Sequence, residues 1–189
     1  LYVEPILPVQ QVIVCGVGHV GQAVCHLAAY AGFSVTAIDD REDLLSPETL
    51  PHADHRVAGN FENAFLNISV NADTLIVVCT RGHAHDLTVV ETALKTDAQY
   101  IGLLGSRRKR ASFFEKLRAA GFSDNDFERV CTPVGLDIGA VTPHEIAFSI
   151  VGQLIEQRRR HGRKTGGHTA GRGSVPADGT KQAASPCAG

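Results

Sequence analysis

No apolar run in this 189-residue chain approaches the roughly eighteen residues a membrane-spanning helix requires. No leader is legible either: Leu1–Gln10 is short, carries Glu4 and is broken by Pro5 and Pro8, and a start at Leu1 instead of Met reads as a fragment or a processed start. None of the five cysteines (Cys15, Cys25, Cys79, Cys131, Cys187) stands in Cys-x-x-Cys spacing. Their odd count argues against a disulfide framework or a zinc site and for a reduced, cytoplasmic interior. Charge of one sign is scarce: the net of −2 gives no overall pull toward nucleic acid or an anionic membrane. That total conceals an asymmetry, −5 over residues 1–160 and +3 over 161–189. No Ser-His-Asp, Cys-His or paired-carboxylate arrangement offers itself for hydrolysis.

What is present is a strand, a glycine turn and a helix. The stretch Val12-Ile-Val-Cys-Gly16-Val-Gly18-His19-Val20-Gly21 runs from an apolar strand into an amphipathic segment, and a second apolar run, Phe33–Ile38, ends at Asp39. This is the context in which G-x-G-x-x-G signifies a dinucleotide-type fold. Gly16 permits the tight turn, Gly18 lets backbone N–H groups approach a phosphate, and Gly21 lets the helix pack closely. The helix N-terminus adds free donors and partial positive charge. With His19 and Val20 these glycines form the first candidate site. Asp39 is placed to accept from ribose hydroxyls, and Arg41 to meet a 2′-phosphate; the sequence leaves both open.

The alternation continues down the chain. Strands are expected at Gln11–Cys15, Phe33–Ile38, His55–Ala58, Thr74–Cys79, Gln99–Leu104 and Arg129–Thr132. Helices are expected at His19–Ala31, near Glu62, at His85–Lys95, from a Ser106 cap to Ala120, and from Thr142-Pro-His-Glu145, a capping box with proline at the first position. The predicted fold is α/β: a Rossmann-like, doubly wound, mainly parallel sheet with helices on both faces over residues 11–160. It is preceded by an extension at 1–10 and followed by a disordered basic tail at 161–189, which has too few large apolar residues to offset its ordering entropy.

Three further segments fall at predicted strand ends. Gly105-Ser106-Arg107-Arg108-Lys109-Arg110 puts four cations at a helix start, where they oppose the helix dipole unless an anion is present, and so reads as a phosphate or pyrophosphate site in preference to a solvated basic helix face. Pro133-Val-Gly-Leu-Asp137-Ile-Gly139 reads either as a loop closing on a ligand through Asp137 or as a turn that aims the last helix. Thr80-Arg-Gly-His83-Ala-His85-Asp86 reads as a helix-starting cluster that caps and contacts ligand rather than as a metal site.

Taken together, Val-Cys-Gly-Val-Gly-His-Val, Asp-Asp-Arg41, Tyr100-Ile-Gly-Leu-Leu-Gly-Ser-Arg-Arg108 and Pro133-Val-Gly-Leu-Asp-Ile-Gly-Ala-Val-Thr-Pro-His-Glu-Ile-Ala147 resemble the C-terminal domain of xanthine dehydrogenase accessory proteins of the XdhC/CoxI type, over about Gln11–Gln157. The resemblance implies a non-catalytic chaperone. Such a protein binds molybdenum cofactor (molybdopterin), supports its sulfuration with a cysteine desulfurase, delivers it to an apo molybdenum hydroxylase of xanthine dehydrogenase type, and forms a homodimer. The chain departs from the family pattern in three places. No Gly-Gly-Cys segment occurs in these residues, Cys131 replaces a histidine, and Thr80-Arg-Gly-His83 replaces Thr-His-Asp. Read from the residues alone, an NAD(P)-dependent oxidoreductase and a nucleotide-sensing regulatory domain are the alternatives.

Overall fold

A computed structural model describes residues 9–165. Nearly all of the expected N-terminal extension, and the tail from residue 166, lie outside these residues. Six parallel strands form one sheet: β1 (Gln11–Cys15), β2 (Ser34–Asp39), β3 (His55–Ala58), β4 (Leu75–Val78), β5 (Tyr100–Leu103) and β6 (Val130–Cys131). Their order is β3-β2-β1-β4-β5-β6. The sheet is thus wholly parallel in its described residues, and the topology is that of a doubly wound Rossmann-like domain. Five helices cover it: α1 (His19–Tyr30), α2 (His83–Leu94), α3 (Arg110–Ala119), α4 (Asp124–Phe127) and α5 (Pro143–Thr165).

The strands are apolar on both sides because each face carries its own core. Val12, Val14, Val35, Ala37, Leu75 and Val77 point toward α1 and α5, meeting Val24, Ala28, Ile150 and Leu154. The intervening Ile13, Cys15, Ile38, Ile76, Val78 and Ile101 point the other way, meeting Val89, Ala93, Phe114 and Leu117 of α2 and α3. This two-sided burial is what the period of two demands of a covered parallel strand.

Three expectations need correction. The helix expected from Ser106 to Ala120 begins at Arg110 instead; residues Arg107–Lys109 form a 3-10 turn, and Ser106 makes no side-chain capping bond. Three cations and no acid in that first turn work against a regular helix start. The segment near Glu62 is likewise only a 3-10 turn, Phe61–Asn63. The last helix continues to Thr165, past the expected boundary at 160. Its start is as expected: Glu145 Oε2 accepts the N–H groups of Val141 (2.8 Å) and Thr142 (2.9 Å), while the Glu145 N–H reaches Thr142 Oγ1 at 3.3 Å. The short α4, opened by a Ser123/Asp126 capping box, has no counterpart among the expected helices.

Several large apolar side chains are exposed, Tyr30 and Leu66 among them, and four of them lie near one another in the chain. Val141 (81% exposed) and Phe148 (62%) stand out with Leu136 and Ile138 around the β6–α5 connection.

Candidate functional site

All six strands run in one direction, so their carboxyl ends, and every loop singled out in the sequence, open on the same rim. β1 and β5 are separated only by β4. At about 4.8 Å per strand spacing, the glycine loop and the basic turn lie roughly 10 Å apart along it.

The three loop glycines have different reasons to be glycine. Gly16 has φ +95°, and a Cβ there would fall 2.5 Å from the Cys79 carbonyl oxygen. A Cβ on Gly21 would fall 2.0 Å from the Gly16 carbonyl oxygen, so α1 can approach β1 only without one. Gly18 is unlike both: a Cβ there would meet nothing within 4 Å. Protein packing explains the first two and leaves the third unexplained. The first intrahelical bond of α1 runs from Gln22 N–H to the Gly18 carbonyl (2.9 Å), so the N–H groups of His19, Val20 and Gly21 have no helical acceptor. His19 is exposed and Val20 half-buried.

Asp39 is only 1% exposed. Its Oδ2 accepts the Val17 N–H (2.7 Å) and Arg41 Nη2 (3.1 Å); its Oδ1 accepts the Arg41 N–H (3.0 Å) and Nε (2.9 Å). A carboxylate offers about four acceptor sites, and all are filled. Burial pushes the Asp39 carboxyl up, but hydrogen bonds from Arg41 and the Val17 N–H outweigh it and hold the group below its ordinary value. Asp39 therefore braces the glycine loop, and a ribose hydroxyl would have to displace Arg41 to reach it. The next residue, Asp40, pairs with Arg81 Nη2 at 2.6 Å. Asp40 follows β2 and Arg81 follows β4, so this ion pair bridges over the end of β1 between them.

Beneath the loop lie Cys15, Cys25 and Cys79, all buried. The Cys79 thiol donates to the Gly16 carbonyl at 3.0 Å. Burial pushes Cys25 up to about 12 and raises Cys15 and Cys79 strongly, so the three stay protonated and offer no nucleophile at neutral pH.

Beyond β4, the Thr80 hydroxyl donates to Asp86 Oδ1 at 2.6 Å. Asp86 is 6% exposed, and burial raises its carboxyl above the ordinary value despite the Thr80 bond. His83 Nδ1 lies 3.7 Å from Asp86 Oδ2, and His83 Nε2 lies 2.6 Å from Lys109 Nζ. Among the described residues no group of three or more His, Cys, Asp or Glu side chains is arranged to hold a metal.

Gly105, Ser106, Arg107 and Arg108 are exposed at the end of β5. Arg107 Nη2 pairs with Asp137 Oδ2 at 2.9 Å, which joins two candidate segments thirty residues apart in sequence. The Asp137 loop is tied down from beneath. Gln153 Oε1 accepts both the Tyr100 hydroxyl (2.6 Å) and the Gly135 N–H (2.7 Å), and the Leu136 N–H bonds the Ser149 carbonyl. Gln153 was not singled out in the sequence, and Asp86 only as part of the Thr80–Asp86 cluster expected to cap the helix and contact ligand. Gln153 carried no signal beyond a polar residue on an apolar helix stripe; Asp86 carried a faint one, in its place six residues after Thr80.

The glycine loop, the braced acid and the arginine turn all lie within one stretch of chain that a known family matches. The model for the XdhC Rossmann domain aligns with residues 12–154. This chain belongs to that family. It is 31% identical over 160 residues to a probable xanthine dehydrogenase subunit of Bacillus subtilis, covering 85% of this chain and 46% of that one. It is 25% identical over 95 residues to the molybdenum cofactor insertion chaperone PaoD of Escherichia coli, covering 50% and 30% respectively. The crystal structure of a xanthine dehydrogenase from Bacillus halodurans superposes with a TM-score of 0.71 at 27% identity, covering 81% of this chain and 44% of that one. The XdhC-family chain thus spans less than half the length of each of these relatives. No helix among its described residues is long and apolar enough to cross a membrane.

Proposed function

We propose that this XdhC-family chain is a cytoplasmic, non-catalytic carrier. It holds molybdenum cofactor by its phosphorylated arm and presents it, as a homodimer, to a cysteine desulfurase for sulfuration and then to an apo molybdenum hydroxylase. The observation that carries this reading is the unfilled space at Gly18, beside three N–H groups without helical acceptors and on the same rim as the exposed Arg107 and Arg108. A cradle that the fold does not need and a side chain would occupy suits a phosphate. Relatedness to PaoD supports the choice of cofactor, and the Bacillus subtilis relative supports the choice of client.

When bound, the cofactor supplies a dithiolene-held metal; the chain supplies only the grip. The N–H groups of His19, Val20 and Gly21 would meet one end of the phosphorylated arm as fixed dipoles. Arg107 and Arg108 would meet it as forked, charge-assisted donors, with Gly105 and Ser106 setting their approach. Asp39 and Arg41 hold the loop in shape, and Thr80 fixes the turn after β4.

The test is retention. Chain purified from cells that make molybdopterin is expected to co-elute with a pterin detectable by fluorescence after oxidation and by mass. Arg107→Ala is expected to weaken that retention about tenfold without unfolding the domain. Elution free of pterin, with binding absent on reconstitution, overturns the reading.

A further inference from the structure

A cavity of about 260 Å³ opens beside the basic turn, between the start of α2, the end of β5 and α3. Gly105 and Ser106 of the basic turn form one edge of its lining; a phosphorylated arm does not explain the rest. Leu103, Leu104 and Phe113 supply apolar wall; Lys109, Arg110 and Lys116 supply positive charge. Into this mixture the fold places Asp86, a carboxylate more than nine-tenths buried. The Thr80 hydroxyl donates to its Oδ1, the Thr80 N–H also bonds the carboxylate, and His83 Nδ1 stands 3.7 Å from Oδ2. A carboxylate has about four acceptor sites, so Asp86 keeps capacity for donors that enter from the cavity.

The three features together define a ligand. The volume, just below the usual range of about 300–1,000 Å³ for small-molecule pockets, suits one ring system rather than a dinucleotide. Leucine and phenylalanine walls suit the faces of a flat ring. A carboxylate suits two adjacent N–H donors on the ring edge, in the forked geometry it adopts with guanidinium. Cations at the lip suit a phosphate attached to that ring.

We infer that this cavity is a second binding site, selective for the 2-amino-4-oxo-pyrimidine edge shared by pterins and guanine, with Asp86 as the acceptor of its N–H groups and Lys109 and Lys116 on the attached phosphate. The inference rests on the carrier reading above and deepens it. The pterin ring is the end that enters the cavity, and the phosphorylated arm runs from the lip along the rim toward the glycine loop.

The experiment is a calorimetric titration of the full 189-residue chain with guanosine, inosine and adenosine monophosphates and with a phosphate-free hydroxymethylpterin. Inosine monophosphate differs from guanosine monophosphate only by lacking the 2-amino donor. It is expected to bind at least about tenfold more weakly, adenosine monophosphate more weakly still, and the pterin detectably. Asp86→Asn, which replaces an acceptor by a donor, is expected to bring the guanine and hypoxanthine nucleotides within about threefold of each other, with a thermal melt run alongside to establish that it folds. Equal affinity of the wild-type chain for all three nucleotides overturns the inference without needing any variant, and so does a guanine preference that survives in folded Asp86→Asn. The two readings fail separately. Molybdopterin retention without guanine discrimination sinks the cavity alone. Discrimination without molybdopterin retention sinks the carrier role and supports the cavity.

Discussion

The glycine loop and the basic turn share a rim but are built in opposite ways. The first is held from every side: Gly16 against Cys79, Gly21 against Gly16, and Val17 and Arg41 on the buried Asp39. Its donors are backbone groups, fixed before any ligand arrives. The second is exposed, begins with a 3-10 turn instead of a helix, and is steadied by an Arg107–Asp137 pair at the surface. Its donors are long side chains. One site has its ordering cost built into folding; the other meets that cost on binding. On the carrier reading proposed above, a rim with one rigid end and one adaptable end would fix a ligand's position at the first and tolerate variation in length at the second.

The sharpest way to break this contrast lies within the glycine loop itself. Gly16→Ala and Gly21→Ala, whose Cβ atoms would meet backbone at 2.5 and 2.0 Å, are expected to cost on the order of 3–5 kcal/mol and to lower the melting temperature by roughly 10 °C or more. Gly18→Ser should leave the melt within about 2 °C, because serine caps a helix at least as well as glycine, while cofactor retention drops at least about tenfold. Comparable destabilisation by all three would make Gly18 a packing residue and remove the cradle.

Next in size is the response to acid, which has opposite signs at the two buried carboxyls. Asp39 titrates below its ordinary value in the folded chain, so the stability it confers is present above about pH 3.9 and is lost as pH falls through its folded value. Asp86 titrates above its ordinary value, so its favourable contribution is present in acid and fades as pH rises through that raised value. Urea midpoints measured from pH 2.5 to 7 should show Asp39→Asn about 2 kcal/mol less stable than wild type near neutrality, with the gap closing in acid. Asp86→Asn should gain on wild type over the same climb in pH. Parallel profiles for both variants would contradict the arrangement described.

Smaller effects belong to the exposed end. The double variant Arg107→Ala/Arg108→Ala should shift stability by less than about 0.5 kcal/mol and weaken retention by more than the single change, with a shallower dependence on salt than wild type. Smallest of all is Asp137→Ala. If the acid only parks Arg107, affinity holds or rises up to about threefold; a clear fall would assign Asp137 to the ligand.

The sequence announces these two ends unequally. Apolar runs such as Leu75–Val78 and the glycine spacing mark strands and turn because covered parallel strands and close helix packing each demand a narrow set of residues. The Thr142/Glu145 capping box marks the start of α5 for the same reason. What spacing does not reveal is where a side chain points. Asp39 reads as a ribose acceptor until the Val17 N–H and Arg41 are seen filling it. Asp86 reads as one member of a helix-capping, ligand-contacting cluster, with nothing to say that α2 buries it, and the Arg107–Asp137 and Tyr100–Gln153 partnerships join residues that only the tertiary fold brings together.

The ion pair between Asp40 and Arg81 arches over the end of β1, beside the glycine loop, and on the carrier reading proposed above it would be a removable crossbar to a guest entering there. Such a bar adds nothing to how tightly a seated guest is held if it re-forms equally with the guest in place. It acts on traffic: arrival and departure slow by the same factor, and both quicken when ions in the medium weaken the pair. For the proposed carrier, the crossbar itself sets only residence time, and the salt dependence of affinity comes from Arg107 and Arg108.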